Sequence, residues 1–312
     1  MSALYPCDLH AHTNRSDGND SPRELVGLAA AAGLRVLALT DHDIIAPETA
    51  DVGGIQVNLV EYAKQQGLIL LPGVEYSCDT IVEDVHIVAL GCDWAHTFFA
   101  AEYAASIDSK IEGYRELCRL LKEDGMDIDW RRDILLDGAR DETAVQRKMI
   151  FEAMAQRGGA EDWSAAKLMV KNTPRYAVKR VKPDPAHIID SIHAAGGIAI
   201  MAHPYLVGDP AEWRGNPVSR AGYIDKLIEA GLDGIEASYP YDKTSYDGGL
   251  TPERVEAEVR AAYADRLPII SGGSDYHNEG KKGAKRPRML GERGLTIEEF
   301  MGDPILSRIA GM

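Results

Sequence analysis

The sequence has no long hydrophobic run and few cysteines. None of its apolar stretches reaches the roughly 18 residues of a membrane-spanning helix, so we expect no membrane partner. No basic segment precedes an apolar one at the N-terminus, and a secretory signal peptide is therefore not expected. The 312 residues include only four cysteines, and these lack CxxC spacing. Buried, reduced thiols and a cytoplasmic location are the expectation from this pattern.

Positive charge is also scarce. The chain holds 34 Lys and Arg against 49 Asp and Glu, which gives a formal net charge of −15. This sign does not favour binding of long duplex nucleic acid, although it leaves room for a local basic site. Neither a G-x-S-x-G elbow nor a GxxxxGK[ST] loop occurs, so the sequence supports neither an acyl-serine hydrolase nor a P-loop enzyme.

The sequence does contain histidines that recur in similar positions, next to short apolar runs. His10 and His12 follow a short apolar run. Residues two apart project to the same side of an extended segment, so both imidazoles can face one metal ion. Asp17 follows in a Ser-Asp-Gly turn, near enough in sequence to fold back beside them. A single His-x-His is a weak signal because such pairs also arise by chance, so the metal hypothesis depends on the rest of the chain.

Strands and helices alternate up to about residue 93 and again from about residue 186, which is typical of an α/β fold with parallel strands. Ser21, Pro22 and Glu24 predict a capped helix that ends at Gly33, and a second helix is expected up to about Gly67. Strands are predicted at residues 35–39, 68–71, 85–90, 198–202, 234–237 and 268–271. Residues 94–185 have helical periodicity instead. We therefore predict one domain from residues 1–93 plus 186–312, with an inserted helical subdomain at 94–185.

The candidate metal ligands lie at or close to the carboxyl ends of the predicted strands, where the active sites of closed parallel barrels assemble. His86 is the exception, because it lies near the start of its strand. His96, His187 and His193 lie in loop or helix positions and are assigned to the surface. The candidates are His10, His12, Asp17, His42, Glu75, His86, His203, Asp275 and His277. Imidazoles and carboxylates without thiolates suit Zn²⁺, Mn²⁺ or Fe²⁺.

Five motifs carry a family resemblance. His-x-His, Leu-Thr-Asp-His-Asp, Gly-Val-Glu, His-Pro and Gly-Ser-Asp-x-His, in that order, resemble those of the polymerase and histidinol phosphatase (PHP) superfamily. The resemblance covers roughly residues 4–93 and 186–290. It is greatest to stand-alone metal-dependent phosphoesterases of that family that carry a helical insertion. It implies a distorted seven-stranded (β/α) barrel with an inserted helical subdomain and two to three divalent metal ions, Mn, Zn or Fe.

The resemblance also implies how the ligands divide. The first metal would be held by His10, His12, Glu75 and Asp275, the second by Glu75, His86 and His203, and the third by Asp17, His42 and His277. Glu75 would bridge two ions, and Glu75, His203 and Asp275 are the implied catalytic residues. Asp41 and Asp43 would fix the geometry or hydrogen-bond ligand imidazoles. Asp8 could have the same role as Asp41 and Asp43, and a buried structural role is the equal alternative for it.

The implied reaction is hydrolysis of a phosphate ester by attack of a metal-bound hydroxide, since clustered divalent ions lower the pKa of bound water. The substrates of the resembling subgroup are nucleotides with a terminal phosphate, including 3′,5′-bisphosphates and short oligoribonucleotides. Histidinol phosphate is an alternative substrate, but histidinol phosphatases of the family usually have histidine where this chain has Asp17. A non-catalytic metal-stabilised module is another alternative. Such modules usually lack several ligands, and none is missing here. The oligomeric state stays open.

Two basic regions are candidates for binding substrate phosphate. An arginine and a lysine near the insertion bind phosphate in the family, and the matching stretches hold Arg147 and Lys179. The insertion is expected to close over the metals and choose the substrate. The family more often has Gly-Arg-x-His at the first stretch, which this chain does not match. A solvated charge is the alternative for Arg147 and for Lys179. A basic run from Lys281 to Arg288 either rims the metal site and attracts further phosphates or is a solvated loop.

Overall fold

The computed structural model describes residues 4–311. The chain forms two compact units: one runs up to Ala100 and resumes at Pro183, and the other is Ala101–Lys182. The first unit extends past residue 93 because Phe98 and Phe99, at the start of a long helix, are buried in its core. No helix within residues 4–311 combines the length and the apolar character that crossing a bilayer requires.

Eleven strands occur in the described part of the chain, all of them in the first unit. They are β1 (Cys7–Asp8), β2 (Val36–Leu39), β3 (Thr49–Val52), β4 (Ile55–Asn58), β5 (Ile69–Cys78), β6 (Val85–Leu90), β7 (Ile198–Met201), β8 (Ala211–Trp213), β9 (Asn216–Val218), β10 (Gly234–Ser238) and β11 (Ile269–Gly272). Seven form one sheet in the order β1-β2-β5-β6-β7-β10-β11, and the other four form two hairpins.

The seven-stranded sheet is nearly closed. Beyond β1 and β11, the Leu9 amide donates to the Gly272 carbonyl at 3.1 Å and the His12 amide to the Tyr276 carbonyl at 2.9 Å. These bonds join the two edge strands of the sheet. Backbone groups that an open edge would leave unpaired are thereby hydrogen-bonded. The predicted α/β barrel is confirmed. The strands are buried on both faces, as expected for a barrel covered by helices.

One strand runs against the others. The β1–β2, β2–β5, β7–β10 and β10–β11 pairs are parallel, whereas β6 is antiparallel to both β5 and β7. The expectation of uniformly parallel strands is therefore wrong at β6. The start of an antiparallel strand lies at the same edge as the carboxyl ends of its neighbours. This explains why His86, near the start of β6, shares an edge with ligands that follow other strands.

Ten α-helices are present in residues 4–311. They are α1 (Pro22–Ala32), α2 (Leu59–Gln65), α3 (Thr97–Glu123), α4 (Arg147–Gln156), α5 (Trp163–Asn172), α6 (Pro185–Ala194), α7 (Arg220–Glu229), α8 (Pro252–Tyr263), α9 (Ile297–Gly302) and α10 (Pro304–Ile309). The capping box at the start of α1 is confirmed: the Ser21 side chain accepts from the Glu24 amide, and the Ser21 amide donates to the Glu24 carboxylate at 2.7 Å. Gly33 ends the helix in the left-handed conformation with φ of 87°.

The segment between β2 and β5 differs from the prediction. The expected second helix is only seven residues long, and the β3–β4 hairpin precedes it. Gly53 and Gly54 turn this hairpin with φ of 64° and 88°. Two consecutive positive φ values match the twist of the flanking strands and favour glycine, so this glycine pair directs the segment into a hairpin.

The strand that carries Glu75 is longer than predicted. β5 continues through Pro72 and Gly73 to Cys78, so Glu75 lies inside a strand and not at its carboxyl end. The second half of β5 is extended by antiparallel pairing with β6, in which Glu75 lies opposite Val88. On the other side, the Asp43 amide donates to the Glu75 carbonyl at 2.9 Å. Pairing on both sides keeps Glu75 in a rigid part of the sheet.

The inserted unit, Ala101–Lys182, has a core of its own. Leu117, Cys118 and Leu121 of α3 are buried there together with Ile150 of α4 and Val170 of α5. The helical periodicity predicted for this region is confirmed by α3, α4 and α5.

Candidate metal centre

His10 and His12 lie on the extended segment that follows β1. Both are buried, and their Nε2 atoms are 3.1 Å apart. The alternation of an extended backbone thus brings both rings to the same side, as predicted. Gly273 packs directly against this segment, and a Cβ atom there would lie 2.3 Å from the His10 Cβ. The glycine is needed because no side chain fits into that space.

Two carboxylates, those of Glu75 and Asp275, converge on the imidazoles of His10 and His12. Glu75 Oε2 is 3.2 Å from His10 Nε2 and 3.1 Å from His12 Nε2. Asp275 Oδ1 is 3.1 Å from His12 Nε2 and 3.6 Å from His10 Nε2. Two imidazole nitrogens and two carboxylate oxygens therefore surround one point, which is the donor set that zinc and manganese accept.

The other oxygen of Glu75 faces a second group of histidines. Glu75 Oε1 is 2.8 Å from His86 Nδ1 and 3.1 Å from His203 Nε2. These two nitrogens are 3.2 Å apart. Since the two oxygens of one carboxylate are divided between two clusters, the geometry of Glu75 suits a bridge between two ions.

The remaining candidates lie at the outer side of the centre. Asp17 Oδ1 is 2.9 Å from His277 Nε2 and 3.7 Å from His12 Nδ1, and Asp17 Oδ2 is 3.9 Å from His42 Nε2. The Asp17 side chain is 55% exposed, so this part of the centre is open to solvent. Eight of the nine sequence-derived candidates thus lie in three neighbouring clusters, some of which share members. His203 lies beside them, with its Nε2 3.1 Å from Glu75 Oε1.

The donor atoms suit bound cations. Among the described residues, Glu75 Oε2 and His42 Nδ1 are buried side-chain atoms without a hydrogen-bond partner, and they are 3.2 Å apart. Buried polar atoms are costly when unpaired, and each such atom in a native structure requires an explanation. Divalent ions coordinated by these atoms would remove this cost, so the residues fit metal ions.

The carboxylates and the imidazoles of the centre shift one another's pKa values in opposite directions. Burial alone would lower the pKa of His10 and His12, but the carboxylates beside them outweigh it. They raise the pKa of His10 well above its usual range and that of His12 to about 10. Burial would raise the pKa of Glu75 and Asp275, but the surrounding imidazoles hold both well below their usual range. The carboxylates therefore stay ionised and attract cations.

His42 differs electrostatically from the other histidines. Burial lowers the pKa of His42 to about 4, more than the nearby Glu75 carboxylate can offset. A neutral imidazole is the form that binds metal, and His42 is in that form at neutral pH without losing a proton.

Glu236 is a site residue that the sequence reasoning missed. It is buried on β10, with Oε1 3.3 Å from His10 Nδ1 and Oε2 accepting from the His203 amide at 2.8 Å. It therefore orients His10 and fixes the backbone of His203, as carboxylates behind metal-binding histidines do. The signal was a single carboxylate inside the apolar strand Gly-Ile-Glu-Ala.

Asp8, Asp41 and Asp43 accept hydrogen bonds that hold backbone segments around the centre. Asp8 accepts from the Ser274 amide and the Gly291 amide, each at 2.9 Å, and burial raises its pKa to about 6. Its role is structural, one of the two alternatives that the sequence left open. Asp41 accepts from the Thr13 amide at 2.7 Å and the Ser16 hydroxyl at 2.6 Å, which holds the loop that carries Asp17. Asp43 accepts from the Ser77 amide at 2.9 Å, across from Glu75.

Backbone strain is present at two proposed ligands. His203 has φ of 28° and Asp275 has φ of 49°. A left-handed conformation at a non-glycine residue costs about 1–3 kcal/mol and persists only where surrounding structure enforces it. The hydrogen bond from the His203 amide to Glu236 helps to hold His203 in this conformation, in which its side chain faces the centre.

A cavity of about 420 Å³ opens over the centre. Besides metal-ligand candidates, its lining includes Lys243, Thr244, Ser245, Arg288 and Leu206. Arg288 and Lys243 therefore place positive charge on the wall of a cavity that is otherwise acidic.

The proposed phosphate clamps belong to the inserted unit. Within that unit, Lys110, Tyr114, Arg147 and Arg180 line a cavity of about 280 Å³. Lys179 is exposed and lies outside this lining, and its neighbour Arg180 takes part instead. Three cations around one cavity can bind an anion.

The basic run after β11 is largely paired. Lys281 forms an ion pair with Asp20, Arg286 with Asp242 at 2.6 Å, and Arg288 with Asp275. Lys282 and Lys285 are exposed and have no ion-pair partner within residues 4–311. Only these two of the five cations are available to attract an anion without breaking an existing pair.

Known proteins resemble this chain over most of its length. The PHP domain matches residues 8–161. A 5′-3′ exoribonuclease of Haemophilus influenzae is 33% identical over 279 residues, which cover 86% of this chain and 89% of that protein. A 3′,5′-nucleoside bisphosphate phosphatase of Chromobacterium violaceum is 29% identical over 285 residues, 88% of either chain. A solved structure from Bifidobacterium adolescentis, described as a metal-dependent phosphoesterase, has a TM-score of 0.65 and 27% identity, and the match covers 99% of this chain and 98% of that one.

Proposed function

Because this chain belongs to the PHP-domain family and is a metal-dependent phosphoester hydrolase, we propose that its substrate is a nucleotide with a terminal phosphate. A 3′,5′-bisphosphate nucleotide or a short oligoribonucleotide is favoured. The observation that carries the proposal is the convergence of five histidines, His10, His12, His42, His86 and His203, on the shared carboxylate of Glu75, on a chain similar to a bisphosphate phosphatase and an exoribonuclease. The four free, buried cysteines support a cytoplasmic location.

The proposed cofactors are two to three divalent ions of Mn, Zn or Fe. His10, His12, Glu75 and Asp275 would hold the first, Glu75, His86 and His203 the second, and Asp17, His42 and His277 the third. Such ions supply Lewis acidity at phosphorus and lower the pKa of coordinated water. The distances between these donors and the absence of thiolates from the clusters support this choice of metals.

The protein's own residues would prepare this chemistry by positioning and charge. Glu75 keeps two clusters at a fixed separation because it is held inside the sheet. Asp275 and His203 are aimed at these clusters by strained backbone. We propose that these three residues contact the reacting groups through the ions that they hold. The cavity of about 420 Å³ limits the substrate to one of mononucleotide size or to the end of a longer chain.

We propose that Arg147 and Lys179 bind a phosphate group of the substrate, with Arg180 as a further member. The cationic cavity lined by Arg147 and Arg180 supports the assignment of these two arginines. Lys179 is proposed on the family resemblance of its stretch alone. Alanine at Arg147 or Lys179 is expected to raise KM or lower kcat about tenfold to a hundredfold, since a charge-assisted hydrogen bond is worth roughly 1.5–3 kcal/mol. Metal content should be unchanged, and Lys148→Ala is the matched control because Lys148 pairs with Glu152. Wild-type kinetics in the Arg147 and Lys179 variants would place the clamp elsewhere.

Hydrolysis assays test the substrate, with release of inorganic phosphate as the readout for the phosphate monoesters and release of mononucleotides as the readout for the oligoribonucleotide. The purified protein, reconstituted with Mn²⁺, is given a 3′,5′-bisphosphate nucleotide, a 5′-monophosphate, a short 5′-phosphorylated oligoribonucleotide and histidinol phosphate. We expect the bisphosphate or the oligoribonucleotide to have the highest kcat/KM. A preference for histidinol phosphate would contradict the proposal, as would a failure to hydrolyse the bisphosphate and the oligoribonucleotide after reconstitution with Mn²⁺, Zn²⁺ or Fe²⁺ in turn.

A further inference from the structure

Asp275 uses its two carboxylate oxygens for different purposes. Oδ1 faces the first cluster, 3.1 Å from His12 Nε2. Oδ2 faces away and accepts from the Tyr239 hydroxyl at 2.7 Å and from Arg288 Nη1. A carboxylate can rotate about its bond to Cβ, and a ligand oxygen is held in place only if the other oxygen is fixed as well.

Arg288 is itself held by a second carboxylate. Its side chain is only 12% exposed. Its Nε and Nη2 donate to Glu279 Oε1 at 2.9 Å and 2.6 Å, and its amide donates to Glu279 Oε2 at 2.8 Å. Glu279 therefore fixes the guanidinium plane, leaving Nη1 directed at Asp275. In this respect Arg288 differs from Lys282 and Lys285 of the same run, which are solvent-exposed.

Tyr239 completes the arrangement from the neighbouring strand of the sheet. It follows β10 and is buried, with its ring 5.2 Å from that of His203 and 4.8 Å from that of Tyr241. This packing leaves its hydroxyl one direction, toward Asp275. Asp275 thus receives donors from two segments that are distant in sequence.

We infer that Tyr239 and Arg288, with Glu279 behind Arg288, are positioning residues that hold Asp275 so that its Oδ1 faces the first metal. This inference rests on the proposed metal-dependent function. Arg288 also lines the cavity, so direct binding of substrate phosphate is the alternative. The positioning role is favoured because three of the five N–H groups of Arg288 already donate to protein carboxylates and Nη2 also lies 3.1 Å from His277 Nδ1, so most of its donors face protein groups and not the substrate.

The first test is metal binding in the absence of substrate. Equilibrium dialysis with Mn²⁺, followed by elemental analysis, is applied to the wild type, Tyr239→Phe, Arg288→Ala, Arg288→Lys and Arg286→Ala. We expect Tyr239→Phe and Arg288→Ala to weaken the binding of one ion about tenfold to a hundredfold. Arg288→Lys should recover part of the loss, because lysine keeps the positive charge but lacks the planar guanidinium group with its several donors. Arg286→Ala, which removes an exposed cation of the same segment, should bind metal as the wild type does.

Kinetics then separate the positioning role from substrate binding. At saturating Mn²⁺ the Tyr239 and Arg288 variants should lose kcat while KM for the substrate stays within about twofold of wild type. Unchanged metal affinity in both Tyr239→Phe and Arg288→Ala overturns the inference, as does a raised KM with intact metal binding, which would make Arg288 a substrate ligand. Tyr239→Phe removes one oxygen atom and keeps the packed ring, so it remains decisive if Arg288→Ala does not fold.

The outcomes also distinguish this inference from the proposed function. If the variants lose one ion while the wild type hydrolyses none of the nucleotides offered, the proposed substrate is wrong and the positioning of Asp275 stands. If the wild type binds no divalent ion, both the metal-dependent function and the inference fall together.

Discussion

Glu75 is the residue on which the centre most depends. Its Oε2 lies within 3.2 Å of the nitrogens of His10, His12 and His42, while its Oε1 faces His86 and His203. Burial would favour the neutral acid, but the imidazoles around it lower its pKa well below the usual range. The bridging role implied by the sequence thus corresponds to one carboxylate that is shared by two clusters.

Replacing Glu75 with glutamine is expected to cost more metal than replacing Asp17 with asparagine. Glutamine has one weak acceptor oxygen where the carboxylate has two, so two ions should be lost or weakened. Asp17 is half-exposed and serves the outer cluster, so its variant should lose one ion. Elemental analysis should find two to three ions per wild-type chain. Activity should fall more than about a hundredfold in the Glu75 variant. Equal losses in the two variants would argue against the bridge.

Gly273 shows how a residue without a side chain can determine the geometry of the site. Gly273→Ala would place a Cβ atom 2.3 Å from the His10 Cβ and 2.7 Å from the His10 amide nitrogen. We expect it to destabilise the fold by about 1–3 kcal/mol and to weaken metal binding, since backbone must move. Gly27→Ala in α1 is the control, because nothing lies within 4 Å of its added Cβ. That change should be neutral or stabilising by about 0.5–1 kcal/mol in urea unfolding. A Gly273 variant with wild-type stability and metal content would refute the argument.

At the scale of elements, the segment after β11 serves more than one purpose. Asp275 and His277 face the metal clusters, Arg288 holds Asp275, and Lys281 neutralises Asp20, which is buried. The basic run that the sequence presented as one feature is therefore divided by the structure into paired cations and the two exposed lysines, Lys282 and Lys285.

Neutralising the lysines of this segment is expected to affect multiply charged substrates selectively. Lys281, Lys282 and Lys285 changed together to alanine should lower kcat/KM for a bisphosphate and spare a simple aryl phosphate. The double Lys282→Ala/Lys285→Ala variant isolates the electrostatic part of this effect. It should lower kcat/KM for the bisphosphate roughly twofold to fivefold per removed charge at low salt, and by less at high salt. Lys281→Ala alone should instead lower the melting temperature, because it leaves the buried Asp20 carboxylate without its cation. Equal effects on both substrate types would identify the segment as a solvated loop.

At the scale of the whole molecule, proton and metal binding compete for the same atoms. The carboxylates of the centre raise the pKa of His12 from its ordinary 6.5 to about 10 against the effect of burial, and that of His10 in the same direction. In the metal-free protein the stabilisation from these protonated histidines is complete below about pH 6.5 and is lost as pH rises toward 10. Divalent ions require the neutral imidazoles, so their affinity rises with pH over the same range.

The melting temperature of the metal-loaded protein should therefore exceed that of the metal-free protein by a margin that grows from about pH 6 to about pH 9. Thermal unfolding followed by circular dichroism, at constant ionic strength and with or without Mn²⁺, measures this margin. A margin that stays constant or shrinks over this range would show that the histidines of the centre do not exchange protons for metal.

Much of the fold and the composition of the site could be predicted from the sequence. The capping box of α1 and its terminating Gly33 are local signals, because the groups that satisfy each other are three or four residues apart. Most of the metal-ligand candidates were recognisable because they follow apolar strands, and the carboxyl ends of parallel strands meet at one edge. The β3–β4 hairpin was missed although Gly53-Gly54 is a known turn signal.

Only the tertiary structure decided how these residues are supported. The direction of β6, which brings His86 to the ligand edge, depends on pairing with β5 and β7 and leaves no mark in its own six residues. Glu236 is 226 positions from His10, and Tyr239 is 36 from Asp275. The sequence determined which side chains the centre contains, because ligand chemistry and strand position are local properties. Which carboxylate orients which histidine, and which cation is already paired, follows from strand pairing and from closure of the barrel, because these bring residues that are far apart in the sequence within hydrogen-bonding distance.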